Sequence, residues 1–227
     1  YLRDEISGEY WSVPFDPVQK EPDIFEFSPG LTDMQWCVTV REIEVWLRVV
    51  IPRDDQVELW TVTVSNRSSE SRNLSLYSYF PVGMVGPITQ ISKYEPSLNG
   101  IVVDYFPYYV TVADYYKLRD RKNCIACVSD RAPLAAETNQ REFLGGRGAH
   151  DPAALHLPKL AGGEAHHEAS VMALQFAVEL AAGSSDTINV MFGPAQDRDD
   201  IRRLTHKYLV ENGVEKALET VENHLGT

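Results

Sequence analysis

Hydrophobic and polar positions alternate along the first 130 residues with a period of two. In "IEVWLRVVIP", Ile43, Val45, Leu47, Val49 and Ile51 fall on one face, and Glu44, Trp46, Arg48 and Val50 on the other. "VELWTVTVSN" and "LSLYSYF" repeat the pattern, and "PRDD" and "NRSSESRN" part the three runs with turn-forming residues. The pattern predicts a three-stranded antiparallel meander. Further strands are predicted at residues 24–27, 34–40, 100–106 and 124–128. "YLRDEISGEYWS" predicts a hairpin of residues 1–5 and 10–12 turning through Ser7-Gly8.

Residues 133–168 break the rhythm with "LGGRG", "HDPAAL" and "LAGGEAHH", a long irregular region with one helical turn near residues 134–142. Loops of that length inside a domain are functional or form interfaces. "ASVMALQFAVEL" and "DTINVMFGPA" predict two more strands joined by "AAGSSD". A period of 3.6 then takes over. Ile201, Leu204 and Tyr208 form one helical stripe, and Val214, Ala217, Leu218, Val221 and Leu225 a second that needs a surface to pack on. Asp197 and Asp200 suggest a loose capping box, Asp199 and Arg203 an i,i+4 ion pair, and Asn212-Gly213 a helix C-cap. The expected fold class is mainly β, a two-sheet antiparallel sandwich at residues 1–196 followed by a helical linker at 197–227.

Composition narrows the function. The 227 residues are 44% hydrophobic and 24% charged, with net charge −12. Such a chain repels nucleic acid unless a basic patch overrides it, and the densest basic run, "RDRK" at 119–122, is interrupted by Asp120. No apolar run approaches the roughly 20 residues of a membrane span, and no secretory signal is visible. Three cysteines, Cys37, Cys124 and Cys127, fit a reducing, cytoplasmic compartment. Cys124-Ile-Ala-Cys127 lies in a predicted strand, where positions three apart face opposite sides, so the thiols do not converge on a metal. His150, His156, His166 and His167 lack metal-ligand spacing. No metal and no cofactor is implied.

Acids are plentiful (Asp4, Glu5, Glu9, Asp104, Asp114, Asp130), but a glycosidase needs two at a set separation, and no motif marks any of these. Trp11, Trp36, Trp46 and Trp60, with "YFPYY" at 105–109 and "DYYK" at 114–117, offer either sugar-stacking platforms or sheet packing. In "FLGGRG", Gly145 and Gly146 would let the backbone approach a partner or sugar closely, with Arg147 as an exposed bidentate cation.

Four stretches together carry a resemblance. "YLRDEISGEYWS" resembles a hairpin in the N-terminal domain of the cellobiose/chitobiose phosphorylase family (glycoside hydrolase family 94, formerly glycosyltransferase family 36). "IPRDDQVELWTVTVSNRSSESRNLSLYSYF" is similar to that domain's middle strands, and "EFLGGRGAHDPAAL" with "ALQFAVELAAGSSDTINVMFGPA" to its later loop and last strands. The same domain occurs in cyclic β-1,2-glucan synthases.

The resemblance implies a mutarotase-like supersandwich lacking its first strands here, with a catalytic (α/α)6 barrel beyond the linker. The full protein would be a glycoside phosphorylase or glycosyltransferase that cleaves a β-glucosidic bond with phosphate and inverts the anomeric carbon. The segment itself would be non-catalytic. Its partners would be its own barrel, a β-glucan or β-linked disaccharide, and a second copy in a homodimer. Arg3, Asp4, Trp11, Gly145, Gly146 and Arg147 become substrate-binding or interface candidates. A stand-alone carbohydrate-binding module and an assembly domain without sugar contact are the alternatives. The family's His-Gly-x-Gly-Tyr stretch is "FSPGLTDMQW" here, so its contacts do not carry over, and the Cys before the "ALQ" run is Met172. "YSYFPVGMVGPITQISKYEPSLNG" does not match cellobiose-specific members, which leaves the sugar open.

Overall fold

A computed structural model describes residues 1–83, 89–105, 124–210 and 212–225, with side chains to residue 221. The "RDRK" run, "DYYK", Asp114 and all of "YFPYY" after Tyr105 lie outside the described residues.

Fifteen strands and three helices are found among the described residues: β1 (Leu2–Asp4), β2 (Tyr10–Trp11), β3 (Ile24–Pro29), β4 (Asp33–Val40), β5 (Ile43–Val50), β6 (Glu58–Asn66), β7 (Arg72–Tyr77), β8 (Phe80–Val82), β9 (Gln90–Glu95), β10 (Gly100–Tyr105), β11 (Cys124–Ser129), β12 (Ala135–Asn139), α1 (Gln140–Leu144), β13 (Ala165–His166), β14 (Ser170–Leu180), β15 (Ser185–Ala195), α2 (Arg198–Leu209) and α3 (Gly213–Leu225). They build two antiparallel sheets. The smaller runs β12-β14-β7-β1-β2, with β8 also on β14. The larger runs β13-β9-β10-β11-β15-β6-β5-β4-β3.

The period-two pattern decides the core. On β14, Met172, Leu174, Phe176, Val178 and Leu180 point between the sheets, where they meet Val45, Val64, Ile101 and Ile188 of the larger sheet. Each such side chain, moved fully out of water, stabilises the fold by about 1.5–3 kcal/mol. Val171 and Ala173 point the other way, into a second layer beneath the irregular region. Cys127 faces the inter-sheet core and Cys124 the outer face of the larger sheet. Burial pushes Cys124 up to about 11 and Cys127 up to about 12, so both stay protonated thiols.

The predicted meander is corrected in its third strand. β6 pairs with β5, but β7 joins the other sheet, between β1 and β14. Likewise β14 and β15 are consecutive yet sit in different sheets, so "AAGSSD" is a crossover and not a hairpin turn. Asn66 explains both. It is fully buried, and its Nδ2 donates to the carbonyls of Glu70 (2.7 Å), Ala181 (3.1 Å) and Leu180 (3.3 Å). One amide side chain thus stitches the two crossings together, and the backbone bond from Gly183 N to Asn66 O at 3.0 Å closes the junction.

The irregular region also differs from expectation. Residues 135–139 are strand, and the helix begins one residue later, capped by Asn139 Oδ1, which accepts from Arg141 N and Glu142 N. Residues 143–165 bury Phe143, Leu155 and Leu160 against Tyr77, Val171 and Ala173. The backbone groups this would strand are taken up by buried polar side chains. Gln175 donates to Pro158 O (3.3 Å) and accepts from Leu160 N (3.0 Å). Thr138 donates to Gly163 O and accepts from Ala165 N, and Glu137 accepts from Gly163 N at 3.2 Å.

The helical stripes find their surface within the chain. Ile201, Leu204 and Tyr208 of α2 and Val214, Ala217 and Leu218 of α3 cover the outer face of the larger sheet over Val50, Leu59, Val102 and Met191. Asp197 caps α2 by accepting from Asp200 N. The expected Asp199–Arg203 pair does not form. Arg202 takes Asp199, while Arg203 bridges Asp200 and Asp55. Asn212 is left-handed (φ +58°) but precedes α3 rather than capping α2. Gly213 is required there, because a Cβ would lie 2.3 Å from Lys207 O.

Asp55, between β5 and β6, holds α2 down. It accepts from Arg203 (3.0 Å), Lys207 (2.7 Å) and the Tyr208 hydroxyl (2.7 Å). Burial alone would raise its pKa, but the bonds from Lys207, Tyr208 and Arg203 outweigh it and hold the carboxyl well below the usual carboxylate range. A depressed folded value contributes stability that is fully present above the unfolded value near pH 4 and is lost as pH falls further. Asp55→Ala should cost about 1–2 kcal/mol at pH 7, allowing for solvent screening of the half-exposed Arg203 and Lys207. It should also flatten the acid limb of stability below about pH 4. Urea titrations across pH check this, and an unchanged acid limb would sink it.

Candidate functional site

The β1–β2 hairpin forms as predicted, with Leu2 opposite Trp11 and Arg3 opposite Tyr10. Its turn is fixed by Asp4, whose Oδ1 accepts from Ile6 N and Ser7 N at 2.9 Å, and by Gly8 at φ +71°. Asp4 Oδ2 accepts from Arg72 Nη2 at 2.6 Å. Arg3 donates from Nη1 to Leu155 O at 2.7 Å and also to Leu157 O. Its Nε and Nη2 grip Glu5, and its guanidinium carbon sits 5.7 Å from the centre of the Tyr77 ring.

These positions revise three candidates. Arg3 and Asp4 are buried, with their donors and acceptors committed inside the domain. Trp11 is only 1% exposed and belongs to the inter-sheet core, so it offers no ring to a sugar. The structure gives all three a scaffolding task in place of the contact expected of them. Of the other tryptophans, Trp60 packs edge-on against Phe80 at 5.2 Å, Trp36 stacks on Phe27 at 5.1 Å, and Trp46 is exposed on the outer face.

Gly145, Gly146 and Arg147 are exposed, at the surface where the loop meets the hairpin. The close approach at Gly145 is made to the chain itself: φ is +60°, and a Cβ would come 2.6 Å from that of Ala153. Gly146 faces open space. Arg147 Nη1 lies 3.1 Å from Asp151 Oδ2 and 3.3 Å from His156 Nε2. His156 Nε2 is 2.5 Å from Asp151 Oδ1, which also accepts from the Tyr10 hydroxyl. Hydrogen bonds from Tyr10, His156 and Arg147 hold Asp151 well below the usual carboxylate range. Tyr10 is pushed up to about 12 by burial and by its bond to Asp151. Sequence reasoning named only Arg147 in a site role. Tyr10, Asp151 and His156 carried no signal, because their proximity depends on the loop folding back over the hairpin.

This arrangement is a compact polar knob, able to offer a guanidinium and an imidazole edge to a carboxylate or a pair of hydroxyls. Within it Asp151 is the acceptor shared by Tyr10, His156 and Arg147. Of the other named acids, those among the described residues also have partners: Asp4 in Arg72, Glu5 in Arg3, Glu9 in Lys20 and Arg41, Asp104 in Arg198, and Asp130 in Asn189. Among the described residues, no three His, Cys, Asp or Glu side chains gather as metal ligands. One apolar cavity of about 200 Å³ opens at the sandwich rim between Trp60, Phe80, Phe176 and the Pro14–Pro17 stretch. No helix among the described residues is long and apolar enough to cross a membrane.

The fold defines the class, a large two-sheet antiparallel supersandwich with part of each outer face covered by the chain's own later segments. The chain belongs to the glycosyl hydrolase 94 supersandwich domain family, whose profile matches residues 1–211. It is 35% identical over 95% of its length to a cellobionic acid phosphorylase of Neurospora crassa. It is 30% identical over 89% to a 3-O-beta-D-glucopyranosyl-beta-D-glucuronide phosphorylase, and 26% identical over 95% to a solabiose phosphorylase, both of Paenibacillus borealis. The chain spans 27%, 26% and 28% of these relatives' lengths.

Proposed function

We propose that this chain is the non-catalytic sandwich domain of a longer inverting glycoside phosphorylase that acts on a β-linked disaccharide. In that reaction a phosphate oxygen bonds to the anomeric carbon as the glycosidic C–O bond breaks, and the leaving oxygen takes a proton. A catalytic barrel outside this chain supplies the acid and binds the phosphate. Residues 1–196 act as scaffold and residues 197–227 lead toward the barrel. The carrying observation is the 35% identity to a named phosphorylase across nearly the whole chain, which covers only 27% of that relative. The pairing of Asp4, Glu5, Glu9, Asp104 and Asp130 within the described residues accords with the non-catalytic role. A cytoplasmic, dimeric enzyme completes the reading, and the three buried free cysteines accord with a reducing compartment.

Within this reading, the Arg147 knob touches the barrel or a second copy at the edge of the substrate pocket. Arg147→Ala in the full-length protein should shift the melting temperature by under about 1 °C, since an exposed pair within one loop contributes little. It should raise KM or weaken dimerisation several-fold. Steady-state kinetics and sedimentation together decide, and wild-type values in both would remove Arg147 from any interface.

A further inference from the structure

The apolar cavity at the sandwich rim interrupts the packing between the sheets. Leu47, Trp60, Val62 and Val190 wall it from the larger sheet, and Phe80 and Phe176 from the smaller. Protein interiors leave few voids larger than a water molecule. At about 200 Å³ this one exceeds the roughly 150 Å³ that admits a benzene ring.

The chemistry of the wall favours an apolar occupant. Its serine hydroxyls are already spent. Ser12 Oγ donates to Phe15 O and accepts from Val18 N at 3.0 Å. Ser78 Oγ donates to Met172 O at 3.3 Å and accepts from Leu174 N at 3.0 Å. Trp60 Nε1 is held by Glu58 at 2.9 Å. A sugar buried here would bring hydroxyls that these groups cannot receive, at the cost of stranding them.

The sheet register indicates where that occupant comes from. Tyr1 lines the cavity, and its backbone nitrogen is buried. Tyr1 and Tyr77 exchange both of their backbone bonds, N to O, at 2.8 Å in each direction. They form a hydrogen-bonded antiparallel pair, one residue beyond the pairing of Leu2 with Leu76. On the other side of β1, Leu2 pairs with Trp11. A residue joined to Tyr1 N in these registers stands between Ser78 and Val13, and both of these line the cavity. Side chains alternate along a strand. Leu2 points into the inter-sheet core and Tyr1 into the layer beneath the irregular loop. The side chain before Tyr1 therefore points the way Leu2 does, into the cavity.

We propose that in the full-length protein the residue immediately before Tyr1 is apolar and fills this cavity, so that polypeptide ahead of β1 prolongs that strand and seals the rim. The proposal rests on the reading of this chain as one part of a longer protein. The occupant needs no affinity of its own, because its bond to Tyr1 fixes its place.

The test uses the full-length protein. In hydrogen exchange, the few residues before Tyr1 should be protected as strongly as Arg72–Tyr77 of β7. Exchange at the rate of an unstructured chain would overturn the proposal, and so would a charged native residue immediately before Tyr1. Substitution of that residue by aspartate should lower the melting temperature by about 5 °C or more, and by alanine less, whereas leucine or methionine should hold it near the wild-type value. An aspartate variant that melts like wild type would overturn it. If the aspartate variant does not fold, exchange in the wild-type protein still decides. Sugar 1-phosphate release from the same preparation separates the two ideas. Protection without phosphorolysis sinks the enzymatic reading alone, whereas phosphorolysis with an unprotected segment before Tyr1 sinks this proposal alone.

Discussion

Asn66→Ala should destabilise the sandwich by about 3 kcal/mol, through loss of two N–H donors shared among the carbonyls of Glu70, Leu180 and Ala181 and of the Oδ1 that accepts from Ser68 N. For a domain of this size that is a drop in melting temperature of about 6–12 °C. The cause is specific. Both chain crossings between the sheets converge on this one amide, and water cannot replace a donor whose side chain is fully buried. Asn66→Asp keeps the shape but turns a donor into an acceptor facing three carbonyl oxygens, so it should be at least as damaging. Thermal and urea melts of both variants check this. An aspartate variant within about 0.5 kcal/mol of wild type would show that the crossings hold without the stitch.

Arg3→Ala should be comparably severe, at about 3 kcal/mol or more. Arg3 is the link between the first hairpin and the loop carbonyls of Leu155 and Leu157, and its removal also leaves Glu5 without its partner. The visible effect should be local first: residues 145–160 should become the earliest site of limited proteolysis. Arg3→Lys should restore only part of the loss, because one ammonium cannot satisfy Glu5 and two carbonyls in the planar geometry of a guanidinium. The opposite pattern, an intact melt and an intact loop with a raised KM in the full-length enzyme, would make Arg3 a substrate contact after all.

These two residues also show what the sequence could and could not convey. The strands were legible because burial on a pleated sheet writes a period of two, and "MALQFAVEL" keeps it over a whole strand. Sheet membership was not. A turn between consecutive strands looks the same whether the chain folds back or crosses to the other sheet, and the difference here lies in where one asparagine side chain donates. Arg3, Asp4 and Trp11 were drawn into the candidate site by a recurrent hairpin, yet a recurrent residue serves packing as readily as contact. The irregular loop misled for a related reason. Its length and glycines suggested a functional or interface-forming loop, while the anchors that let it bury Leu155 and Leu160 (Arg3, Glu137, Thr138 and Gln175) are scattered over 170 residues of sequence. The helical stripes, being local and periodic, were read correctly, but their docking surface on the larger sheet is a tertiary fact. Arg147, Asp151 and His156 are close in sequence, whereas Tyr10 joins them only through the fold.

The central claim is that this sandwich scaffolds a phosphorolytic enzyme without performing the chemistry. The direct measurement is phosphate-dependent release of sugar 1-phosphate from a panel of β-linked glucosyl disaccharides, run on the full-length protein and on residues 1–227 at equal molar concentration. The account predicts release that requires inorganic phosphate from the full-length protein and none from the segment. Reproducible release by the purified segment, or the absence of phosphorolysis on every β-linked substrate by the full-length protein, would contradict it.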